Sequence, residues 1–219
     1  VLFRQLLPEM VERLDSSRFY MHSSPYEANW GRPESWKIAD SHNWGTWHGR
    51  KPFESFDSSI PRFMSEYGFQ AFPEMKTIRT FAEEKDFELE SPVMNAHQKA
   101  TIGNALIKQT MGLYYNVPAR FEDLVYMGLV LQGHGMRHGM EAHRRNRPYC
   151  MGSLFWQLND SWPVVSWSAI DYYGNWKSLM YQSKRAFAPI LINAIREDND
   201  LCVYLISDEL HDRNDVSMT

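Results

Sequence analysis

Two kinds of residue in this chain could do chemistry. The first is a single carboxylate, Glu66, in Ile60–Gln70, which reads Ile-Pro-Arg-Phe-Met-Ser-Glu-Tyr-Gly-Phe-Gln. Phe63 and Met64 lead in as a short apolar run, and Gly68 and Pro73 punctuate the exit. That pattern reads as a buried strand stopping in a loop, with Glu66 at the stop. A carboxylate at the C-terminal end of a barrel strand can act as a nucleophile or as an acid/base. Alone, such a Glu is more often a solvated strand end. The second kind is tryptophan. There are eight, in two groups: Trp30, Trp36, Trp44, Trp47 and Trp156, Trp162, Trp167, Trp176. Cores use Trp sparingly, because a buried indole N–H needs a partner. Near Gly, Asn and His in loop-like sequence, several suit a platform on which the C–H face of a sugar packs. Plain core packing stands beside that reading for each of them.

The elements that must carry these residues follow from periodicity. Leu2, Phe3, Leu6, Leu7, Met10, Val11 and Leu14 have the spacing of an amphipathic helix. Arg18–His22 reads as a short strand, and Ile38–Trp44 as another, ending in His42-Asn43-Trp44-Gly45. After the Glu66 strand, Pro73–Phe81 suits a helix and the acidic run Glu83–Glu90 a solvated surface. Asn95–Tyr115 and Phe121–Asn146 read as long helices. Gly128, Gly133, Gly135 and Gly139 weaken the second and leave room for a close neighbour. Arg144, Arg145 and Arg147 suit its C-terminus better than they suit a phosphate site. Cys150–Leu158 reads as an apolar strand and Asn175–Pro189 as a last helix. Strands alternating with helices indicate α/β with parallel strands. Leu191–Ala194 and Leu201–Ser207 break that alternation as two strands around a turn, so they are expected to open a second, all-β domain.

Bulk properties exclude several classes. The chain has 219 residues, 43% apolar and 23% charged, as in ordinary globular proteins. A net charge of −4 gives no reason to expect nucleic acid or an anionic membrane. No apolar run approaches the roughly 20 residues that span a bilayer. Cys150 and Cys202 are the only cysteines, too few for a disulfide scaffold or a Cys-rich zinc site, and the eight His show no metal-ligand spacing.

Ser65-Glu66-Tyr67-Gly68-Phe69-Gln70, with Trp156-Gln157-Leu158-Asn159-Asp160-Ser161-Trp162-Pro163-Val164-Val165-Ser166-Trp167-Ser168, resembles the β-mannosidases of glycoside hydrolase family 2. Ile170–Gly174, Lys184–Pro189, His42–Gly45 and Asn95–Gln98 extend the likeness over essentially the whole chain. The Trp156 block is its most restrictive part. The resemblance implies an α/β fold: the second half of a (β/α)8 TIM barrel over 1–189, then the start of a β-sandwich domain over 190–219. It implies a retaining exo-glycosidase that releases terminal non-reducing β-D-mannose. Glu66 would end the seventh strand as nucleophile, and Trp156 would end the eighth and line the sugar subsite. His42, Asn43 and Trp44 would end the sixth, with Trp47, Asn159 and Asp160 completing the expected substrate-binding set. The partner implied is a β-mannoside, with no cofactor, metal, nucleic acid or membrane.

One departure from the family stands out. Retaining hydrolysis needs two carboxyl groups about 5–5.5 Å apart. In the family the acid/base Glu follows an Asn at the end of the fourth strand, and this sequence contains no Asn-Glu pair. That strand is expected just before Val1, and with Val1 rather than Met at its start the chain is expected to be a piece of a longer protein. Within the chain, Glu27, Glu54, Asp160 and Asp171 are the carboxylates left to examine for the second role. The alternatives are a non-catalytic carbohydrate-binding or structural remnant, and a related family 2 exo-glycosidase such as an exo-β-glucosaminidase. A secreted, periplasmic or lysosomal setting each fits the resemblance, and nothing in the residues selects among them or sets an oligomeric state.

Overall fold

The computed structural model describes residues 1–26, 36–211 and 217. The first helix, α1 (Leu7–Asp15), follows a π-wound turn over Leu2–Leu6. Its apolar stripe has the anticipated spacing, yet Leu2, Phe3, Leu6, Met10 and Leu14 are exposed. The anticipated strand at Arg18–His22 does not form; the segment is bend and irregular backbone after the turn that ends α1.

Two short parallel strands make the centre: β1 (Ser41–Asn43) and β2 (Met64–Tyr67). The anticipated strand at Cys150–Leu158 lies along the other edge of β2 without becoming a ladder. Met64 N donates to Gly152 O, Leu154 N to Met64 O, and Trp156 N to Tyr67 O. Among the described residues its one regular bridge to β2 is Met64–Ser153. Between β1 and β2 lies the short helix α2 (Ser55–Ser58).

The helices pack behind this centre. In chain order they are α3 (Met75–Ile78), α4 (Pro92–Ala96), α5 (Gly103–Tyr114), α6 (Phe121–Arg145) and α7 (Ser178–Ala186). The single helix anticipated over Asn95–Tyr115 is broken, because Gln98 bridges to Val165 and Lys99 N donates to Val165 O. Helix α6 matches its periodicity closely and is the backbone of the core. A Cβ on Gly135 would lie 2.3 Å from the Phe53 ring, and one on Gly139 would lie 3.1 Å from Tyr67. Glycine at these positions therefore lets α6 press against β2 and the aromatic core of Phe53, Phe56, Phe69 and Phe72. Gln132 Nε2, buried on α6, donates to Phe69 O at 2.8 Å and ties down the loop after β2.

A hairpin of β3 (Ile190–Glu197) and β4 (Asp200–Ser207) closes the described chain. The arginines at the end of α6 hold it. Arg144 donates to Ala188 O and Asp208, and Arg145 to Asn193 and Asp57. Among the described residues no helix is long and apolar enough to cross a membrane.

Candidate active site

The site begins with a register shift. Ser41 pairs with Met64, but His42 pairs with Glu66, so Ser65 is an extra residue on β2. An extra residue re-aims the side chains beyond it. Here it sets His42 and Glu66 side by side, with Nδ1 2.5 Å from Oε2. Their side chains are 10% and 16% exposed, so the pair is partly shielded from water. Burial pulls the His42 pKa below its ordinary value, while the carboxylates of Glu66 and Asp40 push it back.

A second layer lies behind the pair. Ser24 Oγ and Ser65 Oγ each donate to Asp40 Oδ2 at 2.6 Å, and the Tyr26 amide donates to Oδ1 at 2.8 Å. Burial works against the Asp40 charge, but these hydrogen bonds outweigh it and hold the carboxyl below its usual range. Ser24 Oγ also lies 3.1 Å from His42 Nε2. Sequence reasoning missed Ser24 and Asp40. They stand 16 residues apart in no recognisable motif, and the only signal is that Asp40 and Ser65 flank His42 and Glu66.

Trp156 reaches the same strand end through its amide bond to Tyr67 O, its peptide to Gln157 is cis, and its indole is 45% exposed. Gly68 makes the approach possible. A Cβ there would lie 2.5 Å from Trp156 O, 3.1 Å from Trp167 and 3.2 Å from Trp44. Trp44 is partly open and stands edge-on to Trp167 at 6.0 Å. A cleft of about 220 Å³ opens beside His42, lined by Trp36, Asn43, Trp44, Gly45, Gly49 and Lys51. Asn43 Oδ1 accepts from Gly45 N at 2.9 Å and shapes the turn at that cleft.

Other anticipated residues sit elsewhere. Trp47 is 1% exposed and packs edge-on against Phe69 and Trp167, so it belongs to the core and offers no face to a sugar. Asp160 is buried and accepts from Lys99, Gln157 and Ser166, which makes it a structural hub. Asn159 is exposed, with its carbonyl accepting from Gln157. Trp162 tilts against His97, and Trp176 stands edge-on to Tyr181. Of the spare carboxylates, Glu54 accepts from the Tyr114 hydroxyl, and Asp171 is buried against Thr77 and Asn175. Trp30 and Glu27 lie outside the described residues.

The geometry brings one carboxylate, one imidazole and one open indole to a common strand end. Comparison with known proteins gives it context. No family model matches the chain. The chain is 35% identical over 210 residues to a protein named β-mannosidase B from Aspergillus terreus, a match that takes in 92% of this chain and 24% of the relative. For β-mannosidase B from Aspergillus niger the identity is 34% over 207 residues, with 91% and 24% covered. Among solved structures, a β-D-mannosidase from Dictyoglomus thermophilum superposes with a TM-score of 0.89 at 36% identity, covering 95% of this chain and 26% of that one. The exo-chitosanase CsxA from Amycolatopsis orientalis, 20% identical with a TM-score of 0.60 over 70% of this chain, shares the fold. By sequence and by fold, the chain is similar to the β-mannosidases over a stretch equal to about a quarter of their length.

Proposed function

We propose that this chain supplies the nucleophile of a retaining hydrolase that removes terminal β-D-mannose from β-mannosides. The observation that carries the reading is the position of Glu66. It stands at the end of the central parallel strand, against His42 and beside the exposed Trp156, in a chain similar to β-mannosidases. In this reading residues 1–189 form the second half of a (β/α)8 barrel, and 190–219 begin a β-sandwich.

Glu66 attacks the anomeric carbon and the glycosidic C–O bond breaks, leaving a glycosyl ester on Glu66. A paired carboxylic acid protonates the leaving oxygen, then takes a proton from the water that hydrolyses the ester. We assign that acid to the part of the relatives that this chain does not match. Trp156 gives the sugar an apolar face and excludes water from it. His42 fixes the direction of the Glu66 carboxylate.

The test is a chimaera in which this chain replaces the matching quarter of the Dictyoglomus thermophilum β-D-mannosidase. It is expected to hydrolyse an aryl β-mannoside, and Glu66→Gln to lower turnover by several orders of magnitude with the fold intact. Near-parental activity in the Gln variant, or a folded chimaera inert toward every β-mannoside, would overturn the reading.

A further inference from the structure

The hydrogen bonds behind Glu66 have a direction. Ser24 has one hydroxyl proton, and its Oγ lies 2.6 Å from Asp40 Oδ2 and 3.1 Å from His42 Nε2. An ionised carboxylate only accepts, so Ser24 gives its proton to Asp40. Toward His42 the Ser24 oxygen is then an acceptor, and Nε2 carries a hydrogen. Nδ1 faces Glu66 Oε2 at 2.5 Å. Two bare lone pairs do not rest that close, so the His42–Glu66 pair holds a proton on one group or the other. On His42 it makes an imidazolium beside a carboxylate. On Glu66 it makes a carboxylic acid, which is no nucleophile.

We infer that Asp40, acting through Ser24, is a positioning residue that keeps the shared proton on His42 and so leaves Glu66 ionised. The inference rests on the assignment of Glu66 as nucleophile. Asp40 does not touch the reacting atoms; its Oδ2 is taken by Ser24 and Ser65 and its Oδ1 by the Tyr26 amide. What it supplies is a fixed negative charge behind the imidazole, where burial otherwise disfavours a positive ring. Among the described residues the charged groups around His42 include Glu66 from β2, Asp40 from the approach to β1, and Lys51 across the cleft. Lys51 is exposed, so water screens it, whereas Asp40 is 7% exposed. The register shift serves the same end: Ser65, the extra residue, is the second donor that holds Asp40 in place.

Nitrogen NMR of the imidazoles, on this chain without substrate, reads the proton directly. The His42 signals are assigned by their loss in His42→Asn. In the unaltered chain the protonated ring is expected to carry one hydrogen on Nε2, toward Ser24, and one on Nδ1, toward Glu66. Asp40→Asn should lower the pH at which His42 loses its second proton by about one unit or more. Ser24→Ala should lower it in the same direction while leaving every carboxylate in place, and Asp40→Glu should restore it. If Asp40→Asn does not fold, Ser24→Ala carries the test. Titration of His42 unmoved in both variants would overturn the inference. Activity of the Glu66→Gln chimaera bears only on the nucleophile, so the two assignments can fail separately.

Discussion

His42 and Glu66 oppose each other across two parallel strands because Ser65 is an extra residue on β2. Without the register shift the pairing that starts at Ser41–Met64 would continue as His42–Ser65, and the Glu66 carboxylate would lie out of reach. The position of the carboxylate along the strand is thus set to within one residue. Glu66→Asp keeps the charge but draws it back by one methylene. A displacement of about 1 Å at a reacting group can cost roughly 100-fold, so the Asp variant of the chimaera should lose about that much turnover with its melting temperature unchanged. A loss below about tenfold would mean that the carboxylate's reach does not matter, which a nucleophile cannot tolerate.

The two tryptophans that sequence reading treated alike should behave in opposite ways. Trp47 is fully buried among Phe69 and Trp167, whereas Trp156 is 45% exposed at the strand end. Trp47→Ala should cost about 3–5 kcal/mol of stability through lost burial and a cavity. Trp156→Ala should leave the unfolding midpoint nearly where it was and instead impair hydrolysis in the chimaera. Paired urea melts and kinetics decide it. Equal losses of stability and activity at Trp156 would return it to a packing role.

That contrast shows what the sequence could and could not reveal. Periodicity located α6 to within a residue of its end, and the hairpin of β3 and β4 was visible as two apolar runs around Asp198-Asn199-Asp200. Glu66 at a strand end was visible too, because local patterns suffice for it. Strand formation at Arg18–His22 and Cys150–Leu158 was not decidable locally. A strand needs a partner on its edge, and partners come from distant sequence. For the same reason Asp40 and Ser24 went unseen: their contact to His42 and Ser65 is assembled by the fold. Residue type marked the aromatics, but which of them face solvent depends on where α6 and the loop after β2 press together.

The chain by itself should not turn over manno-oligosaccharides. Retaining hydrolysis needs a second carboxyl group about 5–5.5 Å from the first. Asp40, the other carboxylate in this network, already accepts from Ser24, Ser65 and the Tyr26 amide, while Asp160 and Asp171 are buried in hydrogen bonds of their own. An oligosaccharide leaving group departs poorly without a proton. Steady multiple turnover of mannobiose by the purified chain would place the acid within it and sink the division of roles proposed above.

Acid should weaken the fold through His143. Burial, with help from Arg145, lowers its pKa to about 3, and Nδ1 is bonded to Ser153 Oγ at 2.8 Å. In the unfolded chain the imidazole takes a proton near its ordinary 6.5, but the folded chain refuses it until about 3. The unfolded state therefore binds more protons between those values, and stability falls as pH drops through them. The full span corresponds to as much as about 5 kcal/mol. His143→Gln removes the titration, so its unfolding midpoint should decline less steeply than that of the unaltered chain over this range. Identical slopes would show that carboxylates elsewhere carry the whole effect.

Lys177 should act at the other end of the scale. Its ammonium is fully buried, donating to Ala71 O at 3.0 Å and Ser166 O at 3.3 Å, with Ser168 Oγ at 3.4 Å. Burial lowers its pKa to about 7, against attraction from Asp160 and Asp171. Below about 7 the fold bears the whole cost of an interior charge. Above it the folded lysine gives up its proton while the unfolded one keeps it, up to the ordinary 10.5. More protons on the unfolded chain mean that stability rises with pH in this window, by up to about 3 kcal/mol between neutrality and about pH 9. Tyr67 limits the rise. Its pKa is raised by burial, so from about pH 10 the unfolded chain loses a phenolic proton that the folded one retains, and stability turns down again. Lys177→Met keeps the length of the side chain and cannot titrate. It leaves Ala71 O and Ser166 O without this donor, which lowers stability at every pH and does not alter the slope. Urea midpoints at several pH values between 7 and 10.5 separate the two effects. Up to about pH 10 the unaltered chain should climb and the Met variant stay level, before Tyr67 turns both down; parallel curves would mean that Lys177 remains charged in the core across the range.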